Sequence, residues 1–454
     1  MTQDIFGQET SLSSAGTRKS WDAAQLGVLA HSASTAEHLG AVLAAAPGFV
    51  LGQAIKGLSL LMLGRSELLP MAREALKDAK ANYDSALPRE QRYVDALEAW
   101  LHGRPSRSIQ IMERVLTDFP TDTLAMKLSH GIRFIMGDPK GMRESIERVM
   151  PAYAPEHAGR GYLLGCYSFA LEETGSYEKA EVTGRQALWM APDDAWGLHS
   201  VAHVHEMTGN AKQGLDWLEG REEAWDHCNN FRYHVWWHKA LMHLDLGQAD
   251  KALVLYDTEV RKDKTDDYRD ISNATSLLMR LELNGHAVGN RWEELSELCA
   301  NRTEDGSLIF ADLHYLLALA GRDRKAEARR LVTRIHEDAK TRNNEAQERM
   351  ASPGCHAANG LEAFGDGDYT LAFAHLTRAR KDMQLAGGSH AQRDVFERMT
   401  IDAGLRAGEF DAAEAILDDR RAKRAGGEDN YALARRELIA AGRSGTDSQS
   451  MPAE

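Results

Sequence analysis

The sequence is poor in the features that mark secreted, membrane-spanning and nucleic-acid-binding proteins. Its four cysteines lie far apart and form no C-x-x-C pair, so neither a disulfide framework nor a cysteine zinc site is predicted. No apolar run reaches the roughly 18 residues that a membrane helix needs. Lys and Arg number 54 against 68 Asp and Glu, and this net charge of −14 argues against nucleic acid and anionic membranes as partners.

The sequence also lacks an apolar N-terminal segment and contains little proline. The first 21 residues, MTQDIFGQETSLSSAGTRKSW, contain no apolar core, so we expect no signal peptide and a cytoplasmic protein with reduced thiols. Only 11 of 454 residues are proline, and no alternating run of Val, Ile and Thr marks a strand. Ala, Leu, Glu and Arg are common almost everywhere, which predicts helix throughout.

Glycine, by contrast, recurs at intervals of 34 to 46 residues, and the segments that follow it are alike. The spaced glycines are Gly64, Gly103, Gly137, Gly175, Gly209, Gly247, Gly285, Gly321, Gly367 and Gly408. Small residues stand five positions after six of them, at Ala180, Gly214, Ala252, Ala326, Ala372 and Ala413. A small residue there lets two helices approach closely while the glycine forms the turn, as in tetratricopeptide repeats. The pattern predicts an all-α, tetratricopeptide-like superhelical solenoid of about ten helix-turn-helix repeats.

The repeat pattern also sets the expected domain organisation. We expect one tetratricopeptide-like repeat domain over residues 19–441, because each repeat buries its face only against its neighbours. Residues 1–18 and 442–454 are polar and are predicted to be disordered tails. A homodimer, formed through one end of the array, remains open.

Histidine and tryptophan are concentrated in one stretch of the chain. Seven of the 18 histidines lie between residues 199 and 243, and six of the nine tryptophans lie between residues 189 and 237. At about 100° per residue, offsets −13, −10, −9, −6 and −3 from a turn glycine face the concave groove of such an array. The side chains at those offsets from Gly209 and Gly247 are His199, His203, Glu206, His234 and His238. These five are predicted to converge on one pocket, whereas His205 and His243 fall on the packing face.

Three interpretations of this pocket are open. The two H-x-x-x-H pairs place imidazoles one turn apart, as metal sites do, so His199, His203, His234 and His238 could bind zinc with Glu206 as a further ligand or general base. Against this, the H-E-x-x-H motif is absent. The same residues could form a metal-free pocket for acid–base chemistry, because histidine titrates near neutral pH. They could also be incidental surface histidines.

Weaker candidates lie elsewhere in the array. Cys166, at −9 from Gly175, could be a nucleophile or an inert buried thiol. Asp312 points into the groove and His314 lies nearer the packing face, and both are candidate ligand-binding residues. In GGSHAQRDVF, Ser389 is predicted to cap a helix whose first turn holds Gln392, Arg393 and Asp394, with Arg393 as a carboxylate clamp or an internal ion-pair partner. Trp237 could form an apolar ligand wall or pack between helices.

Several segments resemble the tetratricopeptide repeat protein 38 family. They are DAWGLHSVAHVHEMTG (194–209), YHVWWHKAL (233–241), VLYDTEV (254–260), FADLHYLLALAG (310–321) and GGSHAQRDVF (387–396). The resemblance runs in order over nearly the whole chain and implies a helical repeat fold. It brings no activity with it. Most of the shared positions are polar, which favours a ligand pocket over a pure scaffold.

Two functions from different classes are therefore weighed. In the first, the groove holds a His-rich pocket that binds a small molecule, with possible hydrolytic or proton-transfer catalysis. In the second, the chain is a non-catalytic scaffold that binds a peptide or partner helix in the groove. Acidic C-terminal peptides are disfavoured, because the groove around Gly209 and Gly247 offers His and Glu rather than Lys and Arg.

Overall fold

A computed structural model describes residues 2–449, with side chains to residue 444, and the fold is an all-α, tetratricopeptide-like solenoid. Two short strands precede the helices: β1 (Thr2–Gln3) and β2 (Glu9–Thr10), which pair antiparallel. The α-helices are α1 (Ala15–Leu29), α2 (Thr35–Ala45), α3 (Val50–Met62), α4 (Leu69–Lys80), α5 (Pro88–Leu101), α6 (Pro105–Asp118), α7 (Thr123–Met136), α8 (Pro139–Val149), α9 (Arg160–Glu173), α10 (Tyr177–Met190), α11 (Ala195–Met207), α12 (Ala211–Leu218), α13 (Glu223–Asp226), α14 (Phe231–Asp245), α15 (Ala249–Leu255), α16 (Tyr268–Leu283), α17 (Arg291–Ala300), α18 (Ile309–Leu319), α19 (Lys325–Thr341), α20 (Glu345–Arg349), α21 (Cys355–Gly365), α22 (Tyr369–Arg380), α23 (His390–Arg406), α24 (Phe410–Lys423) and α25 (Asn430–Gln449). Within this described part, no helix is both long and apolar enough to cross a membrane.

Residue contacts divide the chain into two compact units, where the sequence predicted one domain. Unit 1 comprises Met1–Val204, Glu219–Val235 and Asn343–Ala346, and unit 2 comprises His205–Leu218, Trp236–Arg342 and Gln347–Glu454. In unit 1, consecutive helices pack in pairs: α1 with α2, α3 with α4, α5 with α6, α7 with α8, and α9 with α10. In unit 2 the corresponding pairs are α16 with α17, α18 with α19, α21 with α22, and α23 with α24.

The turn glycines have the backbone conformation that the repeat pattern predicted. All ten lie at positive φ, between 62° and 81°, where a side chain would strain the backbone. Ala180, Ala252, Ala372 and Ala413 are fully buried at the close approach between helices. Ala326 is the exception: it is exposed, because α19 starts at Lys325 after a longer turn, and Ala328 is buried instead.

Several helices start at capping side chains that the sequence supplies. Asp122 Oδ1 accepts a hydrogen bond from Ala125 N at 3.0 Å, and Asp138 Oδ1 accepts one from Gly141 N at 2.9 Å. Each bond satisfies a backbone donor that the first helical turn leaves without a partner. These caps fix where the two helices of the pair α7 and α8 begin.

The prediction of a disordered N-terminal tail is wrong. Phe6 and Leu12 are buried, with exposures of 3% and 5%, and Phe6 belongs to a core cluster with Leu29 and Tyr162. Arg89 Nη2 also donates to the carbonyl of Glu9 at 2.9 Å. Burial of these apolar groups offsets the entropy of ordering a polar segment. At the other end, the backbone of residues 442–449 is helical in α25, and the rest of the expected C-terminal tail lies outside the described residues.

Gly165 lies where α9 packs closely against Asp194 and Gly197, so a substitution there tests this packing. A Cβ at this position would overlap Asp194 Oδ2 and lie 3.1 Å from the backbone nitrogen of Gly197. Gly165→Ala is therefore expected to lower the free energy of unfolding by about 1–3 kcal/mol. Gly40→Ala is the matched control: Gly40 is an exposed position in α2 with open space around it, and there we expect a gain of about 0.5–1 kcal/mol. Urea unfolding of both variants measures the difference, and equal stabilities would contradict the packing.

Candidate functional site

Three imidazoles of unit 1 lie side by side. His199 and His203 stand one turn apart on α11, with ring centroids 4.5 Å apart. The ring of His234, from the first turn of α14, lies 5.2 Å from that of His199 and 6.5 Å from that of His203. One nitrogen of each ring lies within 4.8 Å of the others. Three of the predicted imidazoles therefore converge, and His199 and His203 are almost wholly buried.

Two carboxylates from the end of α9 join these imidazoles. Glu172 is fully buried and Glu173 is 5% exposed. His203 Nδ1 lies 3.5 Å from Glu172 Oε2, and donor atoms of His203, Glu172 and Glu173 lie within 4.8 Å of one another. These residues form two donor sets, meaning groups of possible metal-ligating atoms: His203 with His199 and His234, and His203 with Glu172 and Glu173. His203 belongs to both. We refer to His199, His203, His234, Glu172 and Glu173 as the His–Glu cluster.

The sequence analysis missed these two carboxylates, although a signal was present. Glu172 occupies offset −3 from Gly175, which is the groove position that selected Glu206 one repeat later. The repeat of Gly175 lacks the histidines that mark the repeat of Gly209, so its carboxylate is less conspicuous. Applying the same rule one repeat earlier would have found Glu172.

Aromatic rings line the His–Glu cluster. The ring of Phe169 lies 5.4 Å from the rings of both His199 and His203, and Trp196 lies 4.8 Å from His199. Phe231 approaches His199 edge-on at 5.1 Å. The surroundings are therefore apolar, and electrostatic interactions inside the cluster are stronger than they would be in water.

Cys166 lies in a separate polar group of unit 1, around Lys127. Cys166 Sγ is 4.0 Å from Lys127 Nζ, which in turn lies 5.0 Å from the Trp196 ring. Burial raises the pKa of Cys166 to about 11, and Lys127 lowers it by less. Because the thiolate is the nucleophile, a thiol that stays protonated at neutral pH favours the inert interpretation of Cys166.

Asp194 is expected to make the stability of unit 1 depend on pH. Burial raises its pKa to about 7, although Lys127 and a hydrogen bond from Gly197 N at 3.2 Å lower it. Since the unfolded carboxyl titrates near pH 3.9, the folded state holds the proton more tightly, and this contribution to stability is lost as pH rises from about 4 to 7. Asp194→Asn keeps a helix-capping side chain without the titration.

We therefore expect the wild-type chain to lose about 2–4 kcal/mol of stability between pH 5 and pH 8, and Asp194→Asn to remove this loss. The measurement is the free energy of urea unfolding of both chains at the two pH values. Asp193→Asn, one residue earlier, is the control. Parallel pH profiles for wild type and Asp194→Asn would contradict the assignment.

In unit 2, the predicted residues Glu206 and His238 form a pair. His238 Nδ1 lies 2.8 Å from Glu206 Oε2, and both side chains are buried. With the proton on Nδ1 the ring donates to the carboxylate, which fixes its orientation and leaves Nε2 as an acceptor. Arg424 donates to the backbone carbonyl of Glu206 at 2.6 Å.

Trp237 and His314, both predicted to contact a ligand, are buried in the core of unit 2. Trp237 Nε1 donates to Ser276 Oγ at 3.2 Å. The Nδ1 of His314 donates to the carbonyl of Phe310 at 2.7 Å, and its ring also packs against Phe396. Burial lowers the pKa of His314 to about 3, so the ring is neutral. These contacts are those of core residues.

The other predicted ligand residues mostly take part in ion pairs and caps. Asp312 is fully buried and lies 2.6 Å from Arg334 Nη2, so its carboxylate has an internal cationic partner. Ser389 and Gln392 form a capping box at the start of α23, which confirms the predicted helix start. Arg393 donates to the carbonyls of Gly387, at 3.2 Å, and of Gly388.

Asp394 belongs to a buried ionic network of unit 2. Its two oxygens accept from Arg398 Nε at 2.6 Å and Arg420 Nε at 2.7 Å. Asp429 accepts from the same two arginines, at 3.0 Å from Arg398 and 2.6 Å from Arg420. Asp394 therefore has a structural role in this network, and its predicted ligand contact stays a prediction. Arg393 and Asp394, though adjacent in sequence, have different partners.

Comparison with known proteins gives a distant structural likeness. No family model matches the chain. Among solved structures, the human IFIT1 dimer with m7Gppp-AAAA is similar at 14% identity and a TM-score of 0.39, covering 95% of this chain and 96% of that one. The human IFIT1 dimer with PPP-AAAA gives 15% identity and a TM-score of 0.38 over the same shares. A monomeric IFIT1 mutant with Gppp-AAAA gives 13% and 0.37, covering 86% of this chain and 90% of that one.

These structures correct one expectation from the sequence. We argued from the net charge that nucleic acid is not a partner, but IFIT1, which is similar to this chain, was solved with m7Gppp-AAAA. The exclusion of nucleic acid is contradicted and is withdrawn. No ligand is carried over from IFIT1 to this chain.

Proposed function

We propose that this chain is a tetratricopeptide-like protein that binds a divalent transition metal in the His–Glu cluster and uses it to hydrolyse a small molecule. One observation carries the proposal: His203 contributes to two overlapping sets of donor atoms, with His199 and His234 and with Glu172 and Glu173, each within 4.8 Å. Three imidazoles are the protein ligands of many catalytic zinc sites, which keep a further position for water or substrate.

The donors also fit the charge of such an ion. Buried carboxylates are stable only when cations or hydrogen bonds compensate them, and Glu172 and Glu173 lie together with exposures of 0% and 5%. Two carboxylates in such a position would balance the charge of a divalent cation bound next to them. Imidazole with carboxylate suits zinc, iron or manganese, whereas an all-oxygen set would favour magnesium or calcium.

A bound zinc ion would act as a Lewis acid and lower the pKa of a water molecule, which is hydrolytic chemistry. The chain's own part would be to hold the ion through the imidazoles and to accept a proton at the carboxylate that does not bind it. Trp196, Phe169 and Phe231 would keep the surroundings dry, which strengthens both effects.

The scaffold alternative receives less support from the same residues. A peptide bound in a groove needs exposed side chains, whereas His199 and His203 have exposures of 1% and 0%. We further propose that the chain belongs to the tetratricopeptide repeat protein 38 family, on the strength of the sequence motifs. A reducing, cytoplasmic location accompanies this proposal, supported by the four free thiols.

Metal-dependent stability tests the binding step. Protein stripped with a chelator is unfolded thermally with Zn²⁺, Mn²⁺ or Mg²⁺ added. Binding to the folded state stabilises by about 2.7 kcal/mol at 100 times the dissociation constant, so Zn²⁺ or Mn²⁺ should raise the midpoint while Mg²⁺ does not. Equal shifts with all three ions, or none, would contradict the donor set.

Hydrolysis is tested on the same material. Chromogenic esters, amides and phosphoesters are offered to the stripped and the reconstituted protein. We expect turnover of one substrate class that disappears on chelation and returns with the metal. Turnover that persists after the metal is removed by the chelator would contradict the catalytic part of the proposal. So would the absence of turnover in protein that carries one metal ion per chain.

A further inference from the structure

Unit 2 contains a cavity of about 200 Å³ beside α22, α23 and α24. Its lining has the opposite charge balance to the chain as a whole. Two lining residues are acidic, Asp394 and Glu397, whereas six are basic. The basic residues are Arg380, Lys381, Arg393, Arg420, Lys423 and Arg424. Asp419 and Asp429, which lie outside the lining, pair with Arg380 and Arg420, and the lining remains locally basic in a chain with 54 basic and 68 acidic residues.

The guanidinium groups of the lining are held in place by the surrounding fold. Arg420 is fixed by Asp394 at 2.7 Å and by Asp429 at 2.6 Å, and Arg424 is fixed by the carbonyl of Glu206 at 2.6 Å. Arg393, in the first turn of α23, is oriented by the carbonyls of Gly387 and Gly388. Arg393, Arg420 and Arg424 are buried, with exposures of 9%, 4% and 3%. Arginines oriented before a ligand arrives lose little entropy on binding an oxyanion.

The rest of the lining is partly apolar, with Gln384, His390 and Thr400 as its polar members. Met207, Leu376, Met383 and Phe396 supply side chains without charge, and Phe396 and Leu376 are buried. Small-molecule sites combine such an apolar wall with a few placed polar groups. The volume of about 200 Å³ exceeds the roughly 150 Å³ of an engineered cavity that binds benzene. A ring or branched chain with one acidic group is therefore of suitable size.

We propose that this cavity binds a small amphipathic organic anion, with an apolar body of ring size and one carboxylate or phosphate group held by Arg393 and its basic neighbours. The site lies wholly in unit 2 and shares no residue with the His–Glu cluster. It is therefore independent of the proposed function, and either can fail without the other.

Isothermal titration of the full-length protein tests the site with four probes. Phenylacetate and phenyl phosphate share a body and differ in the acidic group, phenylacetamide is a neutral analogue of the first, and inorganic phosphate lacks the body. We expect phenylacetate or phenyl phosphate to bind at least tenfold more tightly than phenylacetamide and inorganic phosphate, and the tighter of the two identifies the acidic group. Equal affinity for phenylacetate and phenylacetamide would overturn the proposal.

Substitutions of lining residues test whether the probes bind in this cavity. Arg393→Gln should weaken the tighter probe at least tenfold, and Lys381→Gln, at an exposed lining position, should weaken it about threefold without affecting folding. Lys340→Gln, an exposed position on α19, should change nothing. Unchanged binding in both Arg393→Gln and Lys381→Gln would overturn the assignment. A 5′-phosphorylated RNA oligonucleotide that binds more tightly than phenyl phosphate would also overturn it, in favour of a nucleic-acid ligand.

Discussion

Replacing His203 with alanine is expected to abolish the metal binding that we propose for the His–Glu cluster. His203 is the one residue common to both donor sets, since it adjoins His199 and His234 on one side and Glu172 and Glu173 on the other. Its loss leaves too few converging ligands for tight binding, so bound metal should fall from about one equivalent to below about a tenth. Elemental analysis after dialysis measures the change.

A buried histidine also contributes to packing, so controls must separate metal loss from misfolding. His203→Gln preserves most of the side-chain volume and is expected to lose the metal while it retains the helical circular dichroism of the wild type. His102→Ala changes an exposed histidine of the same unit and should keep the full metal content. A folded His203→Gln protein with undiminished metal would contradict the assignment of the cluster.

Replacing Asp429 with asparagine is expected to cause the largest loss of stability in unit 2. Asp429 is 2% exposed at its side chain and lies 3.0 Å from Arg398 and 2.6 Å from Arg420. Its Oδ1 also caps α25 by accepting from Ala432 N at 2.9 Å, a bond that asparagine can keep. Removing one charge from a buried ionic network leaves Arg398 and Arg420 with Asp394 as their shared carboxylate, and breaking such a network costs about 3–5 kcal/mol.

The matched control is Asp411→Asn. Asp411 pairs with Arg443 but is 95% exposed, so the substitution should change the free energy of unfolding by about 1 kcal/mol or less. Urea unfolding of the two variants and the wild type gives the comparison. Similar losses for Asp411→Asn and Asp429→Asn would show that burial of the network is not what stabilises unit 2.

The same network is expected to make the stability of unit 2 depend on pH at the acid end. Burial alone would raise the pKa of Asp429, but Arg420, Arg398 and Arg424 lower it below its ordinary value. A lowered folded-state pKa contributes stability above the unfolded value near 3.9 and loses it as pH falls below that value. The direction is opposite to that of Asp194, whose raised pKa favours the folded state at low pH.

The repeat pattern predicted the fold well, because its signals are local. A turn glycine must adopt positive φ, and all ten spaced glycines do. The prediction that the small residue five positions after the glycine is buried is wrong only at Ala326, because the turn before α19 is longer than in the other repeats. The ordered N-terminal segment could not be predicted, because its stability comes from contacts such as Arg89 with Glu9, which are 80 residues apart.

The candidate site was predicted in part for the same reason. Offsets along a helix placed His199 and His203 on one face, and the next repeat added His234. Asp312 satisfied the offset rule equally well, but its partner Arg334 lies on a different helix, and such ion pairs leave no local pattern in the sequence. The periodicity of the sequence predicts the helix face on which a side chain lies. Which residue of another helix it contacts depends on how the helices pack.

The most direct test of this account is the metal content of the wild-type protein. The chain is produced in medium supplemented with zinc, iron and manganese, purified without chelator, dialysed, and analysed for these elements per mole of chain. The account predicts about one equivalent of a single transition metal, held by the His–Glu cluster. Less than about a tenth of an equivalent of each metal, in protein that is fully folded, would contradict it.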